Sequence, residues 1–302
     1  MTDEFGSYYG RPILKEPVWK WMIPAYLYAG GLGGASGTLS AVALATGHER
    51  LGKVSSYVGA AADAVSPLLL VADLGRPERF LNMFRVFKVT SPMSVGSWLL
   101  AAGATASGVG AALELLGRLR PLRIAAHAAA AVLGPAQSTY TAALVADTAI
   151  PVWHEARREL PFVFAASSAA TAGAAAAALV PPAEAGPARR LAVWGSVARV
   201  AGSAVMQARL GLSGEVYRRG AAGALSVAAN ACTAAGAALL GRRGRESRAA
   251  AALGGALVLG GELASRWAIF RAGFQSARDP KYTVVPQRER LTRSDVSSRP
   301  VG

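Results

Sequence analysis

The residues best suited to chemistry are a carboxylate and a phenol on different apolar segments. Asp73 ends one such run, in Leu70-Val71-Ala72-Asp73-Leu74-Gly75-Arg76-Pro77, with Arg79 close behind. Tyr140 lies late in another, in Ser138-Thr139-Tyr140-Thr141, and Asp147 follows where that run ends. A third run opens with Trp19, Trp21, Tyr26 and Tyr28 and continues through Gly30-Gly31-Leu32-Gly33-Gly34 to Gly37. An ionisable group at membrane depth is costly and points to function by default. Asp73 would exchange protons at the membrane edge, and Tyr140 would donate its hydroxyl to a ligand carbonyl. Plainer readings stand beside these. Asp73 would bridge to Arg76 and Arg79 and fix a loop, and Tyr140 would be an interfacial anchor. The pairs Gly30/Gly34 and Gly33/Gly37 have the small-xxx-small spacing of closely packed helices; alternatively they leave a smooth groove for a flat ring beside aromatic walls.

Further polar residues interrupt the apolar runs more deeply. Asp63, Glu114, Arg199, Asn230 and Glu262 would line a water-filled proton path, or would simply pair with one another.

The segments that must position these groups read as membrane spans. The chain has 302 residues, 52% of them hydrophobic and only 17% charged, against ~25% charged in soluble domains. The charges cluster between apolar runs of about 20 residues, the length a helix needs to cross a bilayer. Eight spans are predicted, at 22–45, 54–74, 93–116, 122–146, 161–180, 191–212, 221–240 and 249–270. Breaks such as Gly47-His48-Glu49-Arg50, Gly75-Arg76-Pro77-Glu78-Arg79, Arg118-Leu119-Arg120-Pro121 and Pro181-Pro182 carry stop signals. The expected fold is an all-α integral membrane bundle of about eight helices in two four-helix halves. The bundle would occupy residues 1–271, and a polar, basic tail would follow at 272–302.

Eight spans put both ends of this sequence on one side. The start of the first span and the ends of the second and fourth share that side, so Tyr26, Tyr28, Asp73, Tyr140 and Asp147 fall in one leaflet. Glu215 and Arg266 are expected there too. Carboxylates, phenols and arginines beside glycine-rich packing suit a lipid-soluble, two-electron, two-proton substrate, and a quinone is such a substrate. Loop Lys and Arg residues balance between the two sides, and only the basic tail favours cytoplasmic ends.

Other functions are disfavoured. The net charge of +14 belongs to short loops beside spans, where positive charge serves orientation and headgroup contact rather than nucleic acid. The single cysteine, Cys232, is expected to be buried and inert; one thiol cannot hold an iron–sulfur cluster. Of three histidines, His48 and His154 fall in loops and only His127 lies within a span, too few for haem ligation. No nucleotide fingerprint is present, so electrons would have to come from a partner.

The stretch Leu70-Val71-Ala72-Asp73-Leu74-Gly75-Arg76-Pro77-Glu78-Arg79-Phe80-Leu81-Asn82-Met83, leading into Ser91-Pro92-Met93-Ser94-Val95-Gly96-Ser97-Trp98, resembles the NrfD family, the membrane subunits of polysulfide-reductase-type oxidoreductases. So do Tyr140-Thr141 followed by Pro151-Val152-Trp153-His154-Glu155-Ala156-Arg157-Arg158-Glu159-Leu160-Pro161, and the glycine-rich first span. The resemblance implies a haem-free anchor in the cell membrane that reacts with menaquinone or ubiquinone. It implies a ferredoxin-like iron–sulfur partner and a molybdenum- or tungsten-pterin catalytic subunit. It assigns the quinone pocket to Asp73 and Tyr140, and Tyr26, Tyr28, Gly30, Gly34 and Arg76 are placed around them. The chain departs from the family pattern in having Ala142 after the Tyr-Thr pair and no His or Asn early in the first span. Asp279-Pro280-Lys281-Tyr282-Thr283-Val284-Val285-Pro286-Gln287 resembles tails of members found with formate dehydrogenases, which implies formate as donor. A purely structural tether for redox subunits and a small-molecule or ion transporter are the alternatives.

Overall fold

The computed structural model describes residues 13–288. Among them the chain forms α1 (Met22–Ala45), α2 (Glu49–Asp73), α3 (Pro92–Leu116), α4 (Arg120–Ala146), the short α5 (Pro151–Glu155), α6 (Leu160–Leu179), α7 (Gly186–Arg209), α8 (Gly220–Arg242) and α9 (Arg248–Arg278), with no strand among the described residues. The eight long helices have 20 to 31 residues. At ~1.5 Å per residue each reaches across a hydrocarbon core of ~30 Å.

The bundle is apolar outside and polar inside. Val132, Phe162, Trp194 and Val227 stand about three-quarters exposed on its flanks, while Asp63, Arg199, Glu262 and Arg266 are almost wholly buried. That inversion fits lipid as the surrounding solvent. Helices α2, α3, α6 and α8 are each long and apolar enough to cross a membrane by themselves. In the other four, glycine, serine and inward-facing polar groups such as Gln137, Arg199 and Arg266 dilute the apolar signal.

Local chemistry explains the helix ends. Ser91 caps α3 by accepting from the Ser94 N–H, and Pro92 supplies a first-turn residue whose missing N–H costs nothing there. Gly117, at φ +63°, closes α3 in the left-handed conformation that glycine adopts freely. Inside α4, Pro135 cannot donate to the Ala131 carbonyl; Thr38 of α1 donates its hydroxyl to that carbonyl instead, at 3.4 Å.

Helices α1–α4 form one half and α6–α9 the other, with α1 and α4 packed against α6, and α1 also against α9. The Tyr28 hydroxyl of α1 donates to the Leu259 carbonyl of α9 at 3.2 Å. At one end of the bundle, α5 enters the core: Trp153 is fully buried, stacks on Trp19 with centroids 5.5 Å apart, and donates its indole N–H to the Ile269 carbonyl at 2.8 Å. The described ends of the chain meet at this face, where Arg278 clasps Glu16 through two hydrogen bonds of 2.6 and 3.1 Å. Loops on this terminal face are long and carry α5 and three 3-10 segments; those on the opposite face are short.

Several predicted positions shift. The last helix continues to Arg278 rather than ending near 270, because Gly273 admits the Trp153 ring and Ala272, Ser276 and Ala277 pack inward. Residues 272–278 therefore belong to the bundle rather than to a polar tail. The same extension sets Arg266 twelve residues below the end of α9, ~18 Å deep, not at the membrane face. Helix α7 begins at Gly186 rather than 191, and Cys232 is only half-buried.

Candidate functional site

At the terminal face, Asp73 is the last residue of α2, and its Oδ1 accepts the backbone N–H of Lys20 at 3.0 Å. The carboxylate thus ties the end of α2 to the entry of α1. Among the described residues it pairs with neither Arg76 nor Arg79, so the expected bridge is replaced by a backbone contact. Arg76 is exposed and precedes a 3-10 turn, Pro77–Phe84. Beyond that turn, Trp98 gathers Phe84 and Phe87 edge-on at 5.5 and 6.4 Å.

Tyr140 lies six residues inside the end of α4, ~9 Å below that face. Its ring rests against Gly96 of α3, where a Cβ would leave no room. Tyr140 also packs on the apolar cluster that contains the fully buried Tyr26, whose hydroxyl has no hydrogen-bond partner among the described residues.

The remaining proposed pocket residues point elsewhere. Tyr28 is committed to Leu259 across the two halves. A Cβ on Gly30 would meet the Ser66 hydroxyl at 3.1 Å, and one on Gly34 would meet the Gly134 carbonyl oxygen at 2.7 Å. The glycines of α1 therefore seat α2 and α4 closely, which is the packing reading of their spacing. Across the predicted pocket, Tyr26 and Tyr140 share one cluster and Asp73 and Arg76 sit above it at the membrane face.

The deeper polar residues form two separate centres at mid-membrane. In the first half, Asp63 Oδ1 accepts from Gln137 Nε2 at 2.5 Å, and the same amide donates to the Gly30 carbonyl at 3.3 Å. Asp63 Oδ2 has no hydrogen-bond partner among the described residues. In the second half, Arg199 Nε donates to Glu262 Oε1 at 2.9 Å and Arg199 Nη1 to Asn230 Oδ1 at 2.6 Å, while Thr233 donates to the same Glu262 oxygen at 3.1 Å. Beside Arg199 is a cavity of about 20 Å³, reached by Tyr217 and Asn230, large enough for a water molecule. Arg266 covers the face of Phe164 at 3.6 Å and donates to its carbonyl at 3.2 Å.

Glu114 stands apart from both, two residues before the end of α3 on the opposite face. It meets Lys53 at 3.6 Å, Arg123 at 3.4 Å and His127 at 3.7 Å. Glu114 and Asp63 stand out in the sequence; the partners of Glu114 and the Gln137 partner of Asp63 do not. The signal for the first group was present: Glu114 precedes a three-residue turn, and Arg123 and His127 follow it one helical turn apart.

On the terminal face, charges knit the loops together. Lys281 Nζ holds Glu215 at 3.0 Å, and Arg219 holds the other oxygen at 2.6 Å. Hydrogen bonds from Lys281 to Glu215 and from Arg278 to Glu16 keep both carboxyls below the ordinary glutamate range.

No curated protein matches the chain. The profile described as polysulphide reductase, NrfD, matches residues 13–212. That match takes in the whole first half, α5, α6 and α7, and with them Asp73, Tyr140 and Asp63. The chain belongs to the NrfD family, and is thus a multi-pass membrane subunit of the kind found in oxidoreductase complexes.

Proposed function

We propose that this chain is the quinone-reactive anchor of a multi-subunit oxidoreductase. It passes electrons between an iron–sulfur partner and menaquinone or ubiquinone in the cell membrane. The partner docks on the terminal face, which carries the long loops and the exposed Arg76, and it connects to a molybdenum- or tungsten-pterin subunit. The observation that carries the reading, together with the family, is the placement of Asp73 and Tyr140 at one end of the first half, the carboxylate at the surface and the phenol about two helical turns beneath it.

The quinone supplies the two-electron chemistry. Tyr140 hydrogen-bonds a quinone oxygen, and Asp73 exchanges a proton with water at the membrane face. Asp63 is the deeper proton site. Formate is the electron donor, flow runs toward quinone, and the ends of the chain face the cytoplasm.

Tyr140→Phe and Asp73→Asn test this in the assembled complex. General acid–base contributions amount to ~10²–10⁴-fold, so quinone reduction should fall at least ~10²-fold in Asp73→Asn, with the partner subunits still bound. A second reading, a structural tether, draws on the Lys20 N–H contact of Asp73. Unchanged quinone turnover in both variants would favour the tether.

A further inference from the structure

A cavity of about 600 Å³ opens on the face opposite the chain ends, between α1, α2, α3 and α4. It is lined at the helix ends of that face. Glu49 and Lys53 come from the first turns of α2, Glu114 from the last turn of α3, and Arg120 and Arg123 from the first turn of α4. The other walls are apolar: Ala41, Val42 and Ala45 from the last turns of α1, and Ile124, Ala128 and Ala131 along α4, of which Ala128 and Ala131 lie farthest from the helix ends. The site joins charged walls to apolar ones, and only alanines line the deepest part of α4, as suits an amphiphile.

The charges specify the sign of a group that would fit. Lys53, Arg120 and Arg123 face two carboxylates, Glu49 and Glu114, which leaves one cation in excess. Lys53 and Arg123 already lean on Glu114, whereas Arg120 has no ion pair among the described residues. Arginine at a helix N-terminus is also on the wrong end of the helix dipole, which favours an anion there. The first turn of α4 contains no acidic residue and no side-chain cap. Basic pockets between transmembrane helices at the interface are suited to anionic lipid headgroups.

Two buried atoms specify more. Glu114 and His127 are each only 7% exposed. Glu114 Oε2 lies 3.4 Å from Arg123 Nη1 and 3.7 Å from His127 Nε2, yet among the described residues neither Oε2 nor Nε2 has a partner in hydrogen-bond geometry. Both residues line the cavity. A buried polar atom left without a hydrogen bond is costly, and a hydroxyl satisfies a carboxylate oxygen as donor and a ring nitrogen as donor or acceptor.

We infer that this cavity binds one anionic phospholipid with a hydroxyl-bearing headgroup. The phosphate sits against Arg120, Arg123 and the α4 N-terminus, a headgroup hydroxyl meets Glu114 and His127, and an acyl chain runs along the alanine-rich wall of α1 and α4.

The test uses the intact complex, delipidated in detergent, and native mass spectrometry with phosphatidylglycerol and phosphatidylcholine in competition. The unmutated protein should retain one phosphatidylglycerol in preference to phosphatidylcholine. Each Lys or Arg beside an anionic surface is worth about 1 kcal/mol, so Arg120→Gln should weaken retention about fivefold. Ala128→Trp, which fills the cavity from an exposed position, should abolish it. Arg120 has no ion pair to lose among the described residues, so that variant reads out binding even where the tryptophan variant fails to fold. Equal retention of the two lipids, or unaltered phosphatidylglycerol retention in Arg120→Gln, would overturn the inference. So would displacement of the lipid by millimolar inorganic phosphate or by a short-chain quinone. The first displacement would mark a bare phosphate site, and the second a quinone site.

Discussion

Asp63 and Glu262 are both carboxylates buried at mid-membrane, one in each half of the bundle, and they are held in opposite ways. Glu262 accepts from the Arg199 guanidinium and the Thr233 hydroxyl, and Arg199 is itself tied to Asn230. Asp63 accepts from a neutral amide, Gln137, and no cation lies within ion-pair distance among the described residues. Protonating Glu262 would strand a buried guanidinium, which is strongly unfavourable. Protonating Asp63 strands nothing beside it. The four mid-membrane charges, Asp63, Glu262, Arg199 and Arg266, sum to zero only while Asp63 is ionised. Gly31 lies against the Arg266 guanidinium and Gly33 against the Asp63 carboxylate, so α1 separates the two. The second half is thus built to hold its charges, and the first to let one change.

The largest test of that contrast is Arg199→Met. Removing one partner of a buried ion pair costs ~3–5 kcal/mol, while replacing both with apolar groups is often close to neutral. Thermal unfolding in detergent should show a large loss for the single variant and recovery in Arg199→Met/Glu262→Met. A double variant no better than the single one would mean that Glu262 is not held by Arg199 in the way described. Next comes Asp63→Asn, which keeps an oxygen for Gln137 and should change stability by no more than about 1 kcal/mol. Quinone turnover in the complex should fall ~10²-fold. If turnover is unaltered, Asp63 joins Glu262 as a structural carboxylate. Gly33→Ala sharpens the comparison further. Its Cβ would crowd the Asp63 carboxyl group and meet the Asp63 backbone nitrogen at 3.2 Å. A loss of ~1–3 kcal/mol is expected from such overpacking. Gly108→Ala, in open space on α3, should gain the smallest amount, ~0.5–1 kcal/mol.

The helices were legible because apolar runs near bilayer length alternate with Gly, Pro and Arg breaks, and a membrane leaves the backbone little choice but helix. The end of α9 was not. Residues 272–278 are polar enough to resemble a tail, and only the approach of Trp153 to Gly273 makes them part of the bundle. That error carried Arg266 to the wrong depth. The pairing of Asp63 with Gln137 joins α2 to α4 across 74 positions, a contact that no spacing within one helix encodes. Glu114 and His127 belong to an antiparallel hairpin with a three-residue turn, so their meeting follows from the sequence once the turn is placed. In the sequence His127 stands out only as a lone imidazole, too few for haem, and its role follows from its neighbour Glu114. The glycines of α1 kept two readings open in sequence, and the close approach of Ser66 and Gly134 decides for packing.

Trp153 and Tyr28 clasp the two halves at different depths. The indole is bonded to the Ile269 carbonyl and stacked on Trp19, and the phenol is bonded to the Leu259 carbonyl. A carrier that opens alternately to each side rocks one half against the other. Such rocking here would break both hydrogen bonds and part the Trp19–Trp153 stack. These contacts between the halves therefore oppose any such relative motion.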